Sequence, residues 1–310
     1  MTEAEGRVIA AALDDRAWVI HHNDLDGRCS AAIVRRAYEE GTTIFIEVDY
    51  ANYNDRIPYD SIRLRDNVVI VDFALKPRDM ERLIATGAHI VWIDHHATAA
   101  EYPYLDIQGL RDFADKSAAG CELTWRYFFG DKKMPRVVEL IGDYDKWLLK
   151  YGENSFDCYE GMKMMPSEPL SDFWSKLFAE GEQELPMILM IGATARKYRD
   201  NYCKRICDTY GYEIKLPLLP TRTEIVEVEM VRAWVTNIYG FGSQGFVERF
   251  KEYDVCVAYI HDGKKYTVSL YSEKVDVSGI AKMFGGGGHK GAAGFVCEHL
   301  PWTGDSILAV

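Results

Sequence analysis

Short apolar runs that break abruptly into ionisable residues recur through the first hundred residues. Ala17 to Ile20 runs into His21-His22-Asn23-Asp24-Leu25-Asp26-Gly27, Val68 to Val71 into Asp72-Phe73, and Trp92-Ile93 into Asp94-His95-His96. Runs this short and rich in β-branched residues predict interior strands of a parallel sheet. Thr43 to Val48 and His89 to Ile93 read as strands of the same kind. Helical patterns fall between them. One covers residues 3–13, a second Gly27 to Glu40 with Gly41 as its stop, and a third opens at Lys76-Pro77 and closes at Gly87. Ser117 to Phe129 and Pro135 to Ile141 are also predicted helical, the latter ending at Gly142-Asp143-Tyr144-Asp145. Strand and helix alternate over residues 17–142, which predicts an α/β fold with a doubly wound parallel sheet.

The pattern changes after about residue 150. Pro166 and Pro169 interrupt it, and helical periodicity then returns from Leu170 to about Tyr210. That stretch carries Arg196, Lys197, Arg199, Lys204 and Arg205, read as a solvated helix face rather than a phosphate guide. Beyond Leu216 the chain turns β-rich, with strands expected over Glu224 to Val235, Val255 to Ile260, Tyr266 to Leu270 and Gly294 to Cys297. Asp262-Gly263 is a hairpin signal, and Ser278 to Phe284 is helix-like. The expected organisation is a sheet domain over 1–165, a helical linker over 166–215, and a smaller α+β domain over 216–310.

Composition narrows the partners. Of 310 residues 48% are hydrophobic and 27% charged, an ordinary soluble balance. No stretch approaches the roughly 18 apolar residues of a membrane span. The start, Met1-Thr2-Glu3-Ala4-Glu5, lacks the basic and apolar regions of a signal peptide, so a cytoplasmic location without membrane contact is expected. The net charge of −12 argues against a grip on long nucleic acid, which favours basic surfaces, and for short anionic substrates. The cysteines at 29, 121, 158, 203, 207, 256 and 297 form no Cys-x-x-Cys pair and are expected as reduced structural thiols.

Open α/β sheets hold ligands beyond the carboxyl ends of their strands, where the ionisable clusters fall. Two carboxylates about 4 Å apart repel by about 4 kcal/mol at an effective dielectric of about 20. Protons or metal ions relieve such repulsion, and histidine beside aspartate favours metal. In His22-x-Asp24-x-Asp26-Gly27 alternate residues can converge, Gly27 lets the backbone turn, and His21 lies out of step. Asp72 is the candidate to bridge two cations. Asp94 can receive a ring N–H and fix the tautomer of a ligating histidine. Asp143 is the further acidic candidate, with Asp145 a neighbouring alternative. Downstream, Gly285 to Gly288 followed by His289, Lys290, Ala292 and Ala293 predicts a nest of backbone N–H groups for an oxyanion.

In order, these motifs resemble the DHH phosphoesterase superfamily, in the branch carrying the DHH-associated C-terminal domain. Asp94-His95-His96 matches the motif that names it, and the glycine stretch with His289 matches the C-terminal signature. The resemblance implies a catalytic metal-binding domain, a linker and a substrate-binding domain, with the cleft between the lobes. It implies two divalent cations, manganese first and magnesium or cobalt as alternatives. By position His22 and Asp24 would hold one, Asp26, His95 and Asp143 the other, with Asp72 shared. A bridging water activated by the pair would attack phosphorus beside Asp72, and His96 would contact the scissile phosphate. Gly286, Gly287, Gly288, His289 and Lys290 would bind substrate.

One departure is Tyr271, which stands where many relatives carry an arginine. Phenol cannot grip phosphate with two charged prongs, though it can stack on a base. The expected activity is hydrolysis of short oligonucleotides or linear dinucleotides. The alternatives are a phosphatase on 3′-phosphoadenosine phosphate, a cyclic dinucleotide phosphodiesterase, and a non-catalytic nucleotide sensor. The expected partner is a short nucleic acid or nucleotide, with a homodimer left open.

Overall fold

The structure, a computed structural model, describes residues 17–38, 43–50, 53–114, 117–218 and 229–302. The helix expected over residues 3–13 and the first part of the strand expected from Glu224 lie outside them. The chain forms two compact units, Met1–Arg196 and Lys197–Val310.

In the first unit β1 (Ala17–His22) leads into helix α1 (Leu25–Ala37), then β2 (Thr43–Val48), β3 (Asn67–Val71), α2 (Pro77–Ile84) and β4 (His89–Ile93). All four strands are parallel, in the order β2-β1-β3-β4. The chain therefore reverses direction across the sheet between β1 and β3, which opens a crevice at their carboxyl ends. Strand periodicity divides the apolar residues between two faces. Trp18, Ile20, Val68, Ile70 and Trp92 pack with Phe73, Leu75 and Met80 on one, while Ala17, Val19, Val69, Val71 and Ile93 pack with Val34 and Leu123 on the other. With both faces covered, β3 is buried at every position, and each such side chain contributes roughly 1.5–3 kcal/mol.

Helices α3 (Gly120–Phe129), α4 (Arg136–Asp145) and α5 (Glu153–Met162) complete this unit. Helix α4 runs through Gly142 to Asp145, the last residue of the stretch in which its end is expected. Its glycine is a packing requirement, since a Cβ at Gly142 would sit 2.8 Å from Cγ of Glu122. Within the expected linker span lie a short helix, Phe173–Leu177, and the 26-residue helix α6 (Leu185–Tyr210), inside which the boundary between the units falls. Its basic residues face acids: Arg196 meets Asp157 at 2.8 Å, Arg199 meets Asp200 at 2.8 Å, and Lys204 meets Glu248 at 2.8 Å. That is the bland reading of the basic run.

In the second unit the strands are β5 (Tyr212–Leu218), β6 (Glu229–Thr236), β7 (Val255–His261) and β8 (Tyr266–Tyr271), followed by helix α7 (Val277–Met283), β9 (Gly287–His289) and β10 (Ala292–Cys297). They form one sheet in the order β5-β6-β7-β8-β10-β9. The β7–β8 pair is antiparallel and turns at Asp262-Gly263, with Gly263 at φ 96°. Strand β5 lies partly within the span expected as a helical linker; it is the sheet edge, where its Pro217 is tolerated.

Candidate metal centre

Three strand ends deliver the acidic and imidazole groups to one place. At the end of β1, Nδ1 of His22 lies 2.7 Å from Oδ2 of Asp24. The other oxygen of Asp24 accepts the Gly27 N–H at 2.9 Å and so caps α1. Gly27 sits inside the helix, and the need for glycine is close approach rather than a turn: a Cβ there would lie 2.4 Å from the His22 carbonyl oxygen. His21 points away, as its phase predicts, with Nδ1 2.8 Å from the His22 carbonyl oxygen.

At the end of β3, Asp72 adopts φ 52°, a conformation that a non-glycine residue holds at a cost of order 1–3 kcal/mol. Its amide donates to the Ile93 carbonyl at 2.9 Å, which fixes the carboxylate against the end of β4. Gly120 must be small here, since its Cβ would come 2.6 Å from Cβ of Asp72. The same N-terminus of α3 clamps Asp26, whose two oxygens accept the amides of Gly120 and Cys121 at 2.8 Å each.

At the end of β4, Nε2 of His95 faces three carboxylates: Asp72 at 3.0 Å, Asp26 at 3.6 Å and Asp145 at 3.6 Å. The Lys146 ammonium lies 3.3 Å from its other ring nitrogen. Asp94 is buried and its Oδ1 sits 2.7 Å from Nδ1 of His96, so it orients His96. Ligand atoms within 4.8 Å of one another form three overlapping groups, His22–Asp24–Asp72, Asp72–His95–His96 and Asp26–His95–Asp145.

The electrostatics match a centre built for positive charge. Burial, and then repulsion from Asp26, Asp24 and Asp145, drive the Asp72 carboxyl well above the usual carboxylate range. Asp145 is pushed up to about 8, by burial and then by Asp26 and Asp24; a quarter of its side chain reaches solvent, which softens the effect. Burial also opposes the charge on Asp24, but the hydrogen bond and charge of His22 outweigh it and hold that carboxyl low. Burial lowers His95, leaving its ring neutral and able to donate an electron pair, whereas Asp94 overcomes burial and raises His96. Buried Oδ2 of Asp72 has no hydrogen-bond partner, and the nearest base, Nδ1 of His22, is 3.9 Å away. Orphaned oxygen, crowded acids and neutral imidazole together fit divalent cations.

One expected residue is corrected. Asp143 does not join the cluster: it accepts the amides of Lys150 at 3.0 Å and Tyr151 at 3.3 Å, and the Ser155 hydroxyl. Helix residues two apart point in different directions, so only one of the two acids can face the site, and it is Asp145. Arg28 is also committed elsewhere, to Glu47 at 2.6 Å and Ser167 at 3.1 Å.

The expected glycine nest is largely a strand. Gly285 and Gly286 donate to the Lys282 and Ala281 carbonyls at 3.1 and 2.9 Å and so close α7, while Gly287 to His289 pair with β10 as an edge strand. Gly286 cannot carry a side chain, because a Cβ would lie 2.0 Å from the Gly294 carbonyl oxygen. His289 and Lys290 are exposed. Tyr271 lines a separate cavity of about 330 Å³ with Tyr239, Phe241 and Ser269.

Sequence reasoning passed over Lys146 and the aromatic residues around the cluster. Tyr50 stacks on Phe73 at 4.5 Å and lies 5.8 Å from the rings of both His22 and His96. Only their closeness in sequence to the acidic motifs could have drawn attention to them.

Comparison with known proteins accords with this geometry. The DHH family N-terminal domain matches residues 16–142 and the DHHA1 domain residues 245–302. An uncharacterised protein, R106, of Acanthamoeba polyphaga mimivirus is 28% identical over 76% of this chain, and the match spans 54% of that protein, about half its length. Oligoribonuclease NrnB of Bacillus subtilis is 23% identical over 88% of this chain and 71% of its own. The pGpG-specific phosphodiesterase PggH of Vibrio cholerae shares the fold, with a TM-score of 0.54 at 11% identity over 92% of this chain and 94% of that one. With both domains matched in order, and the acid and imidazole groups of its motifs converging on one centre, the chain belongs to the DHH phosphoesterase superfamily.

Proposed function

We propose that the chain is a divalent-metal-dependent phosphoesterase that hydrolyses short oligonucleotides or linear dinucleotides. The observation that carries this reading is the buried, partnerless Asp72 Oδ2 at the junction of two groups of acids and imidazoles. His22 and Asp24 would hold one cation, Asp26, His95 and Asp145 a second, with Asp72 between them. Manganese is the first candidate because the family resemblance implies it, and a donor set of carboxylates with imidazole is compatible with it. When bound, the pair lowers the pKa of a water and offsets the negative charge that builds on the phosphoryl group.

The chain's own groups do the rest. Four aspartates balance two divalent ions, so attraction of an anionic substrate falls to outer donors. His96, raised and held by Asp94, can donate a proton-bearing nitrogen to a phosphate oxygen, and Lys146 adds charge beside His95. One water is consumed: its oxygen bonds to phosphorus as it gives up a proton to solvent, the P–O ester bond breaks, and the leaving alkoxide takes up a proton from solvent. His289 and Lys290, exposed at the end of β9, are the candidate donors for a terminal phosphate, together with backbone from Gly287 and Gly288. The relation to an oligoribonuclease at 23% identity supports the substrate class.

Metal-stripped protein should be titrated with Mn²⁺, Mg²⁺ and Co²⁺ against a labelled linear dinucleotide, a cyclic dinucleotide, 3′-phosphoadenosine phosphate and pyrophosphate. Turnover restored by Mn²⁺, abolished by EDTA and fastest on the linear dinucleotide is expected. Tight binding without chelator-sensitive turnover would replace the enzyme with a nucleotide sensor.

A further inference from the structure

A cavity of about 140 Å³ opens beside the metal centre, lined by Asp24, Asp26 and Asp145 and also by Tyr144, Trp147 and Tyr159. Its aromatic side is ordered. Tyr144 and Tyr159 stack with ring centres 3.8 Å apart and planes 15° from parallel. Trp147 stands edge-on to Tyr144 at 5.4 Å and 70°, and to Phe156 at 5.7 Å and 88°.

Trp147 is also anomalous. Were it there for packing alone it should be buried, yet it is 46% exposed, and its backbone is left-handed at φ 51°, unusual for a bulky residue. The surrounding turn holds it there. Its amide bonds the Tyr144 carbonyl at 2.9 Å, the Leu148 amide bonds the Asp143 carbonyl at 3.0 Å, and the buried Asp143 carboxylate ties down Lys150, Tyr151 and Ser155. Asp143 thus positions the turn that presents Trp147. Strain kept at a functional site and a large ring turned to solvent beside a metal centre both point to a ligand.

The occupant follows from the lining. The cavity shares three carboxylates with the metal centre, so whatever fills its aromatic part is joined to the group held by the cations. It is smaller than the roughly 300–1,000 Å³ of pockets that enclose whole drug-sized ligands, and suits one planar ring system. We propose that Tyr144, Trp147 and Tyr159 form a nucleobase subsite, in which the base stacks on Trp147 while its phosphate lies at the metal centre. This deepens the phosphoesterase reading and rests on it: the substrate would be a nucleotide chosen by its base, not a bare phosphate chain.

The test uses the full-length, Mn²⁺-loaded protein and two substrates, a linear dinucleotide and its abasic analogue. Wild type should prefer the dinucleotide in kcat/KM. Trp147→Ala should shrink that preference by about 5- to 150-fold, the range that base stacking supplies elsewhere, and Trp147→Phe should restore most of it. An unchanged preference, or equal losses on both substrates, overturns the subsite while leaving the hydrolase standing. If neither substrate is cleaved, the hydrolase reading fails instead. Calorimetry of adenosine monophosphate against ribose 5-phosphate on wild type and Trp147→Ala then decides the subsite alone: a base-dependent gain lost in the variant supports it, and no gain ends it.

Discussion

In the first unit Asp26, Asp72 and Asp94 are each 2% exposed or less, whereas in the second His289 and Lys290 stand in solvent at a sheet edge. The two candidate regions meet negative charge by opposite means. Buried carboxylates are costly unless compensated, and the first unit compensates incompletely. Helix amides satisfy Asp26, imidazole satisfies Asp24, and one oxygen of Asp72 and one of Asp94 are left over. That site is rigid, strained and short of positive charge. The second region has nothing to relieve; it offers donors in water, where each phosphate contact is worth little. The first would thereby suit cations, and the second, on the proposed reading, would give only a weak hold on a phosphate.

Substitutions in the buried cluster should have the largest effects. Asp72→Asn and Asp145→Asn should each lower turnover about 1,000-fold, since on the proposed reading several kcal/mol of transition-state stabilisation would pass through cations that they hold. Asp72→Asn should also make the metal-free protein more resistant to urea and abolish the rise in Tm on adding Mn²⁺. A retained Mn²⁺ response would show that the cluster is not a metal centre. Asp143→Ala should lower stability by about 1–3 kcal/mol in urea melts, because it strands the amides it caps, and should reduce the preference for a base through the turn that carries Trp147.

Acid should expose a second buried cost in the first unit. Burial lowers His21 from 6.5 to about 4, so the folded protein keeps it neutral while the unfolded chain protonates it. Its contribution is complete above about pH 6.5 and is lost as pH falls towards 4, up to about 3 kcal/mol. His21→Phe should flatten this part of the stability profile relative to wild type. His96→Ala should lower kcat about 100-fold, as loss of a positioned donor does, with bound Mn²⁺ nearly unchanged by mass spectrometry. Equal losses of metal and turnover would make His96 a ligand. The smallest effect belongs to the exposed region: Lys290→Ala should raise KM only about two- to fivefold and should weaken further in salt.

Much of this was legible in one dimension because strands are short and periodic. The four parallel strands fall where the apolar runs lie, and the residues that follow each run carry His22, Asp72 and His95 to the centre. The choice between Asp143 and Asp145 was not legible. It depends on the direction in which each acid leaves α4, and that is seen only when the Asp143 carboxylate is found on the amides of Lys150 and Tyr151 and Asp145 is found beside His95. The glycine stretch was ambiguous for a related reason: four glycines permit a nest or a strand, and pairing of Gly287 to His289 with Ala292 to Gly294 makes its latter part a strand.

The amino-acid sequence by itself determined the sheet, the order of the acidic motifs and the membership of a phosphoesterase superfamily, because hydrophobic period and motif spacing are local properties of the chain. Only the tertiary structure decided which carboxylates meet, that Asp72 is left with a bare oxygen, and that Trp147 faces solvent beside them. Those outcomes depend on direction and burial. Both are fixed by residues distant in sequence that exclude water and occupy, or leave vacant, each hydrogen-bonding position.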